Sequence, residues 1–289
     1  DPETLNLSPA GVERAVTPRT RAGIPVHIGG LGCDMEALSR VAEGRGLFVV
    51  EDAAHAAGTR VGGRMAGSLG RAASFSFYAN KNLTTAEGGM FTTDDEELAR
   101  KVRTLSLHGL SGDAWRRFNT RALLRPDVLA PGYKFNMPDL AASLGIHQLR
   151  KQERFLETRE RYAALYDEAF AGLPLKPQPR PRGAGGDRHS LHLYALTLGE
   201  GWGVHRDRVV EALLAENVGA AIHYRAVHTH PFYRDKYGYR PEDFPAAFTA
   251  SERILSLPLT PGMSEQDVSD VILAVRKVSA AYAPASGAG

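Results

Sequence analysis

The sequence predicts an α/β fold whose mostly parallel sheet is covered by helices on both sides. Two observations carry this. Helical and strand patterns alternate over the first hundred residues with short links, and the apolar run Leu47 to Val50 ends in two acids, Glu51 and Asp52, where open sheets place ligands. A Pro-, Gly- and Arg-rich run over 172–188 then marks a lobe boundary. The expected organisation is a first domain over 1–150, then a long connecting helix and a smaller α+β domain over 151–289, ending in a frayed tail, APASGAG.

Each element has a local cause. Ser8 and Pro9 read as N-cap and first turn of a helix to about Val16, and Ile24 to Ile28 reads as a strand. Asp34 caps a helix over Met35 to Glu43 that Gly44 and Gly46 stop. Strands follow at Leu47 to Val50, Ala73 to Phe77 and Met90 to Thr93, and Asp94 starts a helix to about Leu107. The stretch from His108 to Tyr133 has little periodicity and holds Arg116, Arg117, Arg121 and Arg125; it reads as a substrate-side loop or a plain insertion. A helical pattern over Pro138 to Phe170 offers Leu140, Leu144, Leu149, Phe155, Leu165 and Tyr166 for burial. Beyond the lobe boundary come a strand over His192 to Leu198, a helix over Asp207 to Ala215, a strand over Ala221 to Tyr224, and a last helix from Ser264 to Tyr282.

Composition bounds the function classes. The chain has 289 residues, 43% apolar and 24% charged, enough for a sizeable core and too apolar for disorder. With 35 basic and 33 acidic side chains the net charge is +2, so nothing calls for nucleic acid. Cys33 is the single cysteine, which excludes an intrachain disulfide and any multi-thiolate metal centre and suits a reducing cytoplasm. His228 and His230 lie close in sequence but lack a HExxH helix, so no metal is expected. No run approaches the roughly 18 apolar residues of a membrane span.

The chemistry concentrates around Lys81, in SFSFYANKNLTTAEGGMFTT. A lysine out of water has a depressed pKa and becomes an amine able to form a Schiff base, although spacing alone favours a plain loop lysine after a strand. Asp52 reads either as a helix N-cap before an alanine run or as a carboxylate at a ligand-binding strand end. Pyridoxal phosphate needs a lysine, an acid for its ring nitrogen and phosphate donors; Lys81, Asp52 and the hydroxyls of Ser74, Ser76, Thr84 and Thr85 could supply all three.

Four collinear segments, VVEDAAHAAGTRVGGRMAGSLG, SFSFYANKNLTTAEGGM, PGYKFNMPDLAASLGIHQL and ILSLPLTPGMSEQDV, resemble the DegT/DnrJ/EryC1/StrS family of pyridoxal-phosphate-dependent nucleotide-sugar aminotransferases. HGLSGDAWRR, APGYKFNM and IHYRAVHTHPFYR are similar to the branch that aminates C4 of UDP-linked 4-keto sugars, such as the UDP-4-amino-4-deoxy-L-arabinose-forming enzyme. The resemblance implies fold type I, with a seven-stranded sheet in the large domain. It also implies about a hundred further residues ahead of Asp1, judged by the size of a full two-domain chain, and so weak cofactor binding by this chain alone.

By the same resemblance, Lys81 is the Schiff-base lysine and Asp52 the partner of the pyridinium nitrogen. His55 stands beside the ring's phenolic oxygen, and Ser76 bonds the phosphate. Asn136 reaches the neighbouring subunit's phosphate, which implies a homodimer with a shared site. Tyr133, His223, Tyr224 and Arg225 fall on the substrate side, where a cation could face the sugar diphosphate. Each also has an ordinary role open to it: His55 as a core histidine, Ser76 as a strand-end serine, Asn136 as a helix-entry residue. The implied reaction takes an amino group from L-glutamate and gives it to a nucleotide-linked keto sugar, with Lys81 as acid and base, in cell-envelope polysaccharide or secondary-metabolite synthesis. Amination at C3 or of a keto-cyclitol uses the same motifs, and a non-catalytic, ligand-sensing relative is the alternative outside enzymes.

Overall fold

A computed structural model describes residues 1–111, 126–181 and 186–283. The four arginines from Arg116 to Arg125 and the tail from residue 284 onward lie outside the described residues.

Helix α1 (Pro9–Ala15) begins behind Ser8, whose hydroxyl accepts the Gly11 N–H at 3.3 Å. β1 (Ala22–Gly23) is shorter than the strand expected over Ile24 to Ile28. Pro25 has no N–H to extend the ladder, a single bridge joins Val26 to Asp52, and the backbone then coils at Ile28–Gly30. α2 (Met35–Glu43) is capped by Asp34, which accepts the Ala37 N–H at 3.0 Å, and it buries Met35 and Leu38 beside Cys33, Val49 and Leu69.

β2 (Phe48–Asp52) runs two residues further than the apolar pattern, so both acids belong to the strand. Backbone bonds from Asp52 N–H to Pro25 and from His27 N–H to Asp52 hold it there, at 2.9 and 3.2 Å. No helix follows Asp52. Its Oδ1 accepts the Ala54 N–H at 3.0 Å and the chain continues as turns, which corrects the N-cap alternative. Glu51 is fully buried and accepts three N–H groups, from Gly67, Leu69 and Gly70, each at 2.7 Å, besides His27 Nε2 at 3.0 Å. Burial pushes its carboxyl up, but His27 and the three amides outweigh that and leave it lowered.

β3 (Arg60–Val61) and β4 (Arg64–Met65) form a small hairpin, and β5 (Ala72–Ser76) returns to the main sheet. β1, β2 and β5 are parallel neighbours, and β6 (Gly89–Thr92) pairs antiparallel with β5, with Ser76 opposite Gly89. The described residues thus carry four strands of this sheet. α3 (Glu96–Ser106) is capped by Asp95, one residue later than the pattern suggests, through a 2.9 Å bond from the Leu98 N–H.

α4 (Asp139–Ala169) matches the long helical pattern, but only its second half is buried, through Leu156, Arg159, Tyr162, Ala163 and Tyr166. Leu140, Leu144 and Leu149 were expected in a core; here they are exposed, Leu140 by 79%. A second sheet of β7 (Leu175–Pro177), β8 (Tyr194–Leu198) and β9 (Ile254–Leu257) is antiparallel throughout. β7 lies inside the run read as a structureless boundary. α5 (Arg206–Ala215), α6 (Pro231–Tyr237) and α7 (Pro245–Arg253) precede β9. α8 (Glu265–Tyr282) follows it, with a capping box between Ser264 and Asp267. Residues of α4, α5 and α8 pack with β8 and β9 in one core around Tyr166, Tyr194, Leu196, Leu213 and Leu255. The strand expected over Ala221 to Tyr224 shrinks to one bridge, Ala221 to Ser256. Among the described residues no helix is long and apolar enough to cross a membrane.

Candidate active site

Lys81 sits on the loop joining β5 to β6, and that loop is tied at both ends. Phe77 N–H donates to Gly88 at 2.8 Å, Thr85 N–H to Phe77 at 2.9 Å, and Lys81 N–H to Tyr78 at 3.0 Å. The Thr84 hydroxyl donates to the Phe77 carbonyl at 3.2 Å and the Thr85 hydroxyl to the Glu87 carbonyl at 2.7 Å. Both threonines, two of the expected phosphate donors, therefore fasten the loop. Ser74 faces solvent, and Ser76 Oγ accepts the Tyr78 N–H at 3.3 Å.

The loop forms one wall of a cavity of about 530 Å³. Gln148, Phe155 and Arg159 of α4 supply a second wall; His192, His223, Tyr224 and Ser256 to Pro261 supply the rest. Its described lining contains no aspartate or glutamate. Burial lowers the Lys81 pKa, against the opposing pull of the Asp52 carboxylate, which raises the share of neutral amine. Burial, helped by the charges of His55 and Lys81, pushes His192 down to about 2. His223 is lowered by burial and by Lys81, and Tyr224 is raised by burial and by Asp52.

Apart from Ser76, the residues expected at the site divide into three groups. Lys81, His223 and Tyr224 line the cavity together. Asp52 and His55 stand behind them. Asp52 acts by its charge on Lys81 and Tyr224, while His55 Nε2 is 3.2 Å from the Tyr224 hydroxyl and its ring centre 4.3 Å from that of His192. His55 Nδ1 accepts the Gly29 N–H at 3.2 Å, which fixes the ring's proton on Nε2. Burial, with Lys81 and His223 adding, pushes His55 down to about 4. Gly29 has φ +64°, and a Cβ there would run into Gln178 Oε1.

The third group lies off the cavity wall. Arg225 is turned onto Thr229, its Nε and Nη2 donating to the Thr229 hydroxyl and carbonyl at 2.9 and 2.7 Å. Tyr133 stacks on Phe135 at 4.8 Å, both exposed, and Asn136 accepts from the Lys134 ammonium. Several polar lining residues carry no expectation as site residues, Asn82, His192, Arg159 and Ser256 among them. Asn82 adjoins the lysine in the motif and could have been marked from that. It donates to the Ser190 carbonyl at 2.7 Å and meets His192 Nδ1 at 3.3 Å. His192 reads as a strand residue, Arg159 as one more helix cation, and Ser256 falls in the segment ILSLPLTPGMSEQDV without a role of its own.

Comparison with known proteins shows the family and the fold. The model of the DegT/DnrJ/EryC1/StrS aminotransferase family matches residues 1–276. The spore coat polysaccharide biosynthesis protein SpsC of Bacillus subtilis (strain 168) is 50% identical over 280 residues, covering 96% of this chain and 72% of that protein. Among solved structures, the putative sugar aminotransferase Spr1654 from Streptococcus pneumoniae in its PMP form superposes with a TM-score of 0.89 at 30% identity, covering 97% of this chain and 75% of the other. Helicobacter pylori PseC, an aminotransferase involved in the biosynthesis of pseudoaminic acid, gives 0.87 at 25% identity, covering 96% and 71%. The family is one of pyridoxal-phosphate enzymes, and Spr1654 has also been solved in its PLP form. The chain belongs to the DegT/DnrJ/EryC1/StrS aminotransferase family and is a pyridoxal-phosphate-dependent aminotransferase.

Proposed function

We propose that this enzyme moves an amino group from L-glutamate to the keto carbon of a nucleotide-linked sugar, with a UDP-linked 4-keto sugar as acceptor. The observation that carries the reading is Lys81: a half-buried amine with a lowered pKa, on a fastened loop, facing a polar cavity and opposed by the Asp52 carboxylate. The residues fit pyridoxal phosphate. Asp52 Oδ1 is taken by the Ala54 N–H, and its other oxygen has no partner among the described residues, which leaves an acceptor for a pyridinium N–H. Ser76, at the end of β5, is the phosphate-side hydroxyl in this reading. When bound, the cofactor supplies an electron sink beside the substrate amine.

Lys81 would anchor the cofactor, and its amine, when free, would serve as the acid and base that moves the substrate proton. His55, neutral and carrying its proton on Nε2, now meets the Tyr224 hydroxyl and would offer that N–H on the cofactor side. His223 and Tyr224 present polar groups to the sugar from the opposite wall, whereas Arg225 must leave Thr229 before it can meet a diphosphate. A division near residue 150 into a large and a small domain suits the two separate sheets. The single cysteine of the chain suits a reducing cytoplasm.

A homodimer belongs to the same reading. The first half of α4 exposes Leu140, Leu144, Ile146 and Leu149 beside the exposed Tyr133–Phe135 stack. A second copy covering that surface brings Asn136 toward the partner's phosphate. The roles named for SpsC and PseC, in spore coat polysaccharide and pseudoaminic acid synthesis, support a pathway of cell-envelope sugars. A panel of keto sugar nucleotides with L-glutamate, scored by the carbon aminated, tests the acceptor. Product at C3, or from a keto-cyclitol alone, replaces the 4-keto assignment.

A further inference from the structure

Four of the buried histidines have the ring proton placed by their hydrogen-bond partners, and one of the four is reversed. His27, His55 and His189 each accept a backbone N–H at Nδ1, from Cys33, Gly29 and Leu191 at 3.0, 3.2 and 2.9 Å, which puts the proton of the neutral ring on Nε2. His192 meets a carbonyl oxygen instead. Its Nδ1 lies 3.3 Å from Asn82 Oδ1, and that amide has one orientation because Asn82 Nδ2 donates to the Ser190 carbonyl at 2.7 Å. An amide oxygen only accepts, so the His192 proton sits on Nδ1 and Nε2 keeps its lone pair.

His192 lines the cavity that holds Lys81, and its Nε2 has no hydrogen-bond partner among the described residues. Nor is it one of the sealed, unpartnered side-chain atoms there, which belong to Arg159, Gln178, His228 and Ser279. The ring's remaining polar atom is therefore the one it offers to the cavity. Burial keeps the ring neutral, so Nε2 is an uncharged acceptor in a described wall without carboxylates.

We propose that His192 Nε2 accepts a hydrogen bond from a hydroxyl of the keto sugar, on the carbon beside the keto carbon, and so selects which sugar is aminated. This deepens the keto-sugar reading and rests on it. The two substrates present opposite chemistry to a bare ring nitrogen. Once its amine is engaged at Lys81, a donor such as L-glutamate brings carboxylates, which only accept; a sugar brings hydroxyls, which donate. Lys81 and His192 line one cavity, close enough for the ammonium to act on the ring, which puts the ring near the hydroxyl next to the reacting carbon. Asn82, the neighbour of Lys81 in the chain, is a positioning residue that acts through His192 by holding its tautomer.

The test follows the two half-reactions separately, by cofactor absorbance, in the full-length, cofactor-loaded protein: first with L-glutamate, then with a UDP-linked 4-keto sugar or its 3-deoxy counterpart. Wild type is expected to use the 3-deoxy sugar with kcat/KM about tenfold lower. His192→Phe keeps a flat ring and has no acceptor. In it the parent sugar is expected to lose about tenfold, the two sugars to react within about twofold of each other, and the L-glutamate half-reaction to stay within about twofold of wild type. His192→Gln, whose amide oxygen can reach the place of Nε2, is expected to restore the preference. Equal use of the two sugars by wild type overturns the proposal whether or not the variants fold. So does a preference that survives in His192→Phe, or a loss there that falls equally on both half-reactions, as a purely structural ring would give. Failure of the 4-keto reading shows separately, as wild-type protein that takes the amino group from L-glutamate and passes none to the 4-keto sugar; the comparison then uses the acceptor that the panel identifies and its counterpart deoxygenated beside the keto carbon.

Discussion

The Tyr224 hydroxyl lies 3.2 Å from Nε2 of His55, whose other ring nitrogen accepts the Gly29 N–H. A protonated His55 would lose the second bond, so ring charge and cavity architecture are coupled. Burial pushes three histidines down from the ordinary 6.5, His55 to about 4, His189 to about 3 and His192 to about 2. The unfolded chain therefore binds more protons below pH 6.5, and stability falls as the pH drops from there through about 4. At pH 5 each neutral ring costs about 2 kcal/mol relative to neutral pH. Urea melts between pH 7.5 and 5 are expected to show this loss. His55→Gln, whose amide can accept from Gly29 and donate to Tyr224, is expected to flatten part of the slope.

Replacing Lys81 by Arg keeps the charge and removes the nucleophile. Turnover is expected to fall at least about a thousandfold, and the visible absorption of bound cofactor is expected to vanish. The melting temperature of the cofactor-free protein is expected to hold, because a half-buried ammonium contributes little to stability. Retained turnover in Lys81→Arg would remove this residue from the chemistry.

Glu51 is expected to be structural. Glu51→Gln replaces a carboxylate that satisfies three amides and His27 by a group with a single acceptor, at a cost of about 3 kcal/mol in denaturant melts. A change in activity without a change in stability would assign it a different role.

The exposed face of α4 leads to an assembly experiment. Leu144→Glu is expected to shift the sedimentation of the protein from dimer to monomer. Mixing Lys81→Ala with Asn136→Ala subunits is expected to restore activity, since a shared site puts both lesions in one of the two sites of the mixed dimer and leaves the other intact. Full activity of the isolated Leu144→Glu monomer would contradict the shared site.

Helix caps and the main strands were legible in the sequence because they depend on neighbours in the chain: Ser8, Asp34 and Ser264 each cap the helix they precede. Lys81 was legible through its motif. What escaped depends on distance. Arg159 is 33 residues upstream of His192 in sequence numbering yet faces the same cavity. Thr84 and Thr85 look like phosphate donors in one dimension, and only the folded loop shows their hydroxyls turned back on the backbone. The Leu140 to Leu149 face follows the helical period, but periodicity cannot tell a face buried in the chain's own core from one left exposed.

The antiparallel pairing of β5 with β6 brings the chain straight back after Lys81, without a crossover helix. The lysine and its supports thus form a self-contained cassette in which backbone bonds between Phe77, Thr85 and Gly88 set the position of the amine. The facing wall, from 219–224 and 256–261, takes no part in that cassette. Substrate range is therefore open to redesign on the far wall alone, with the reactive amine carried over unchanged.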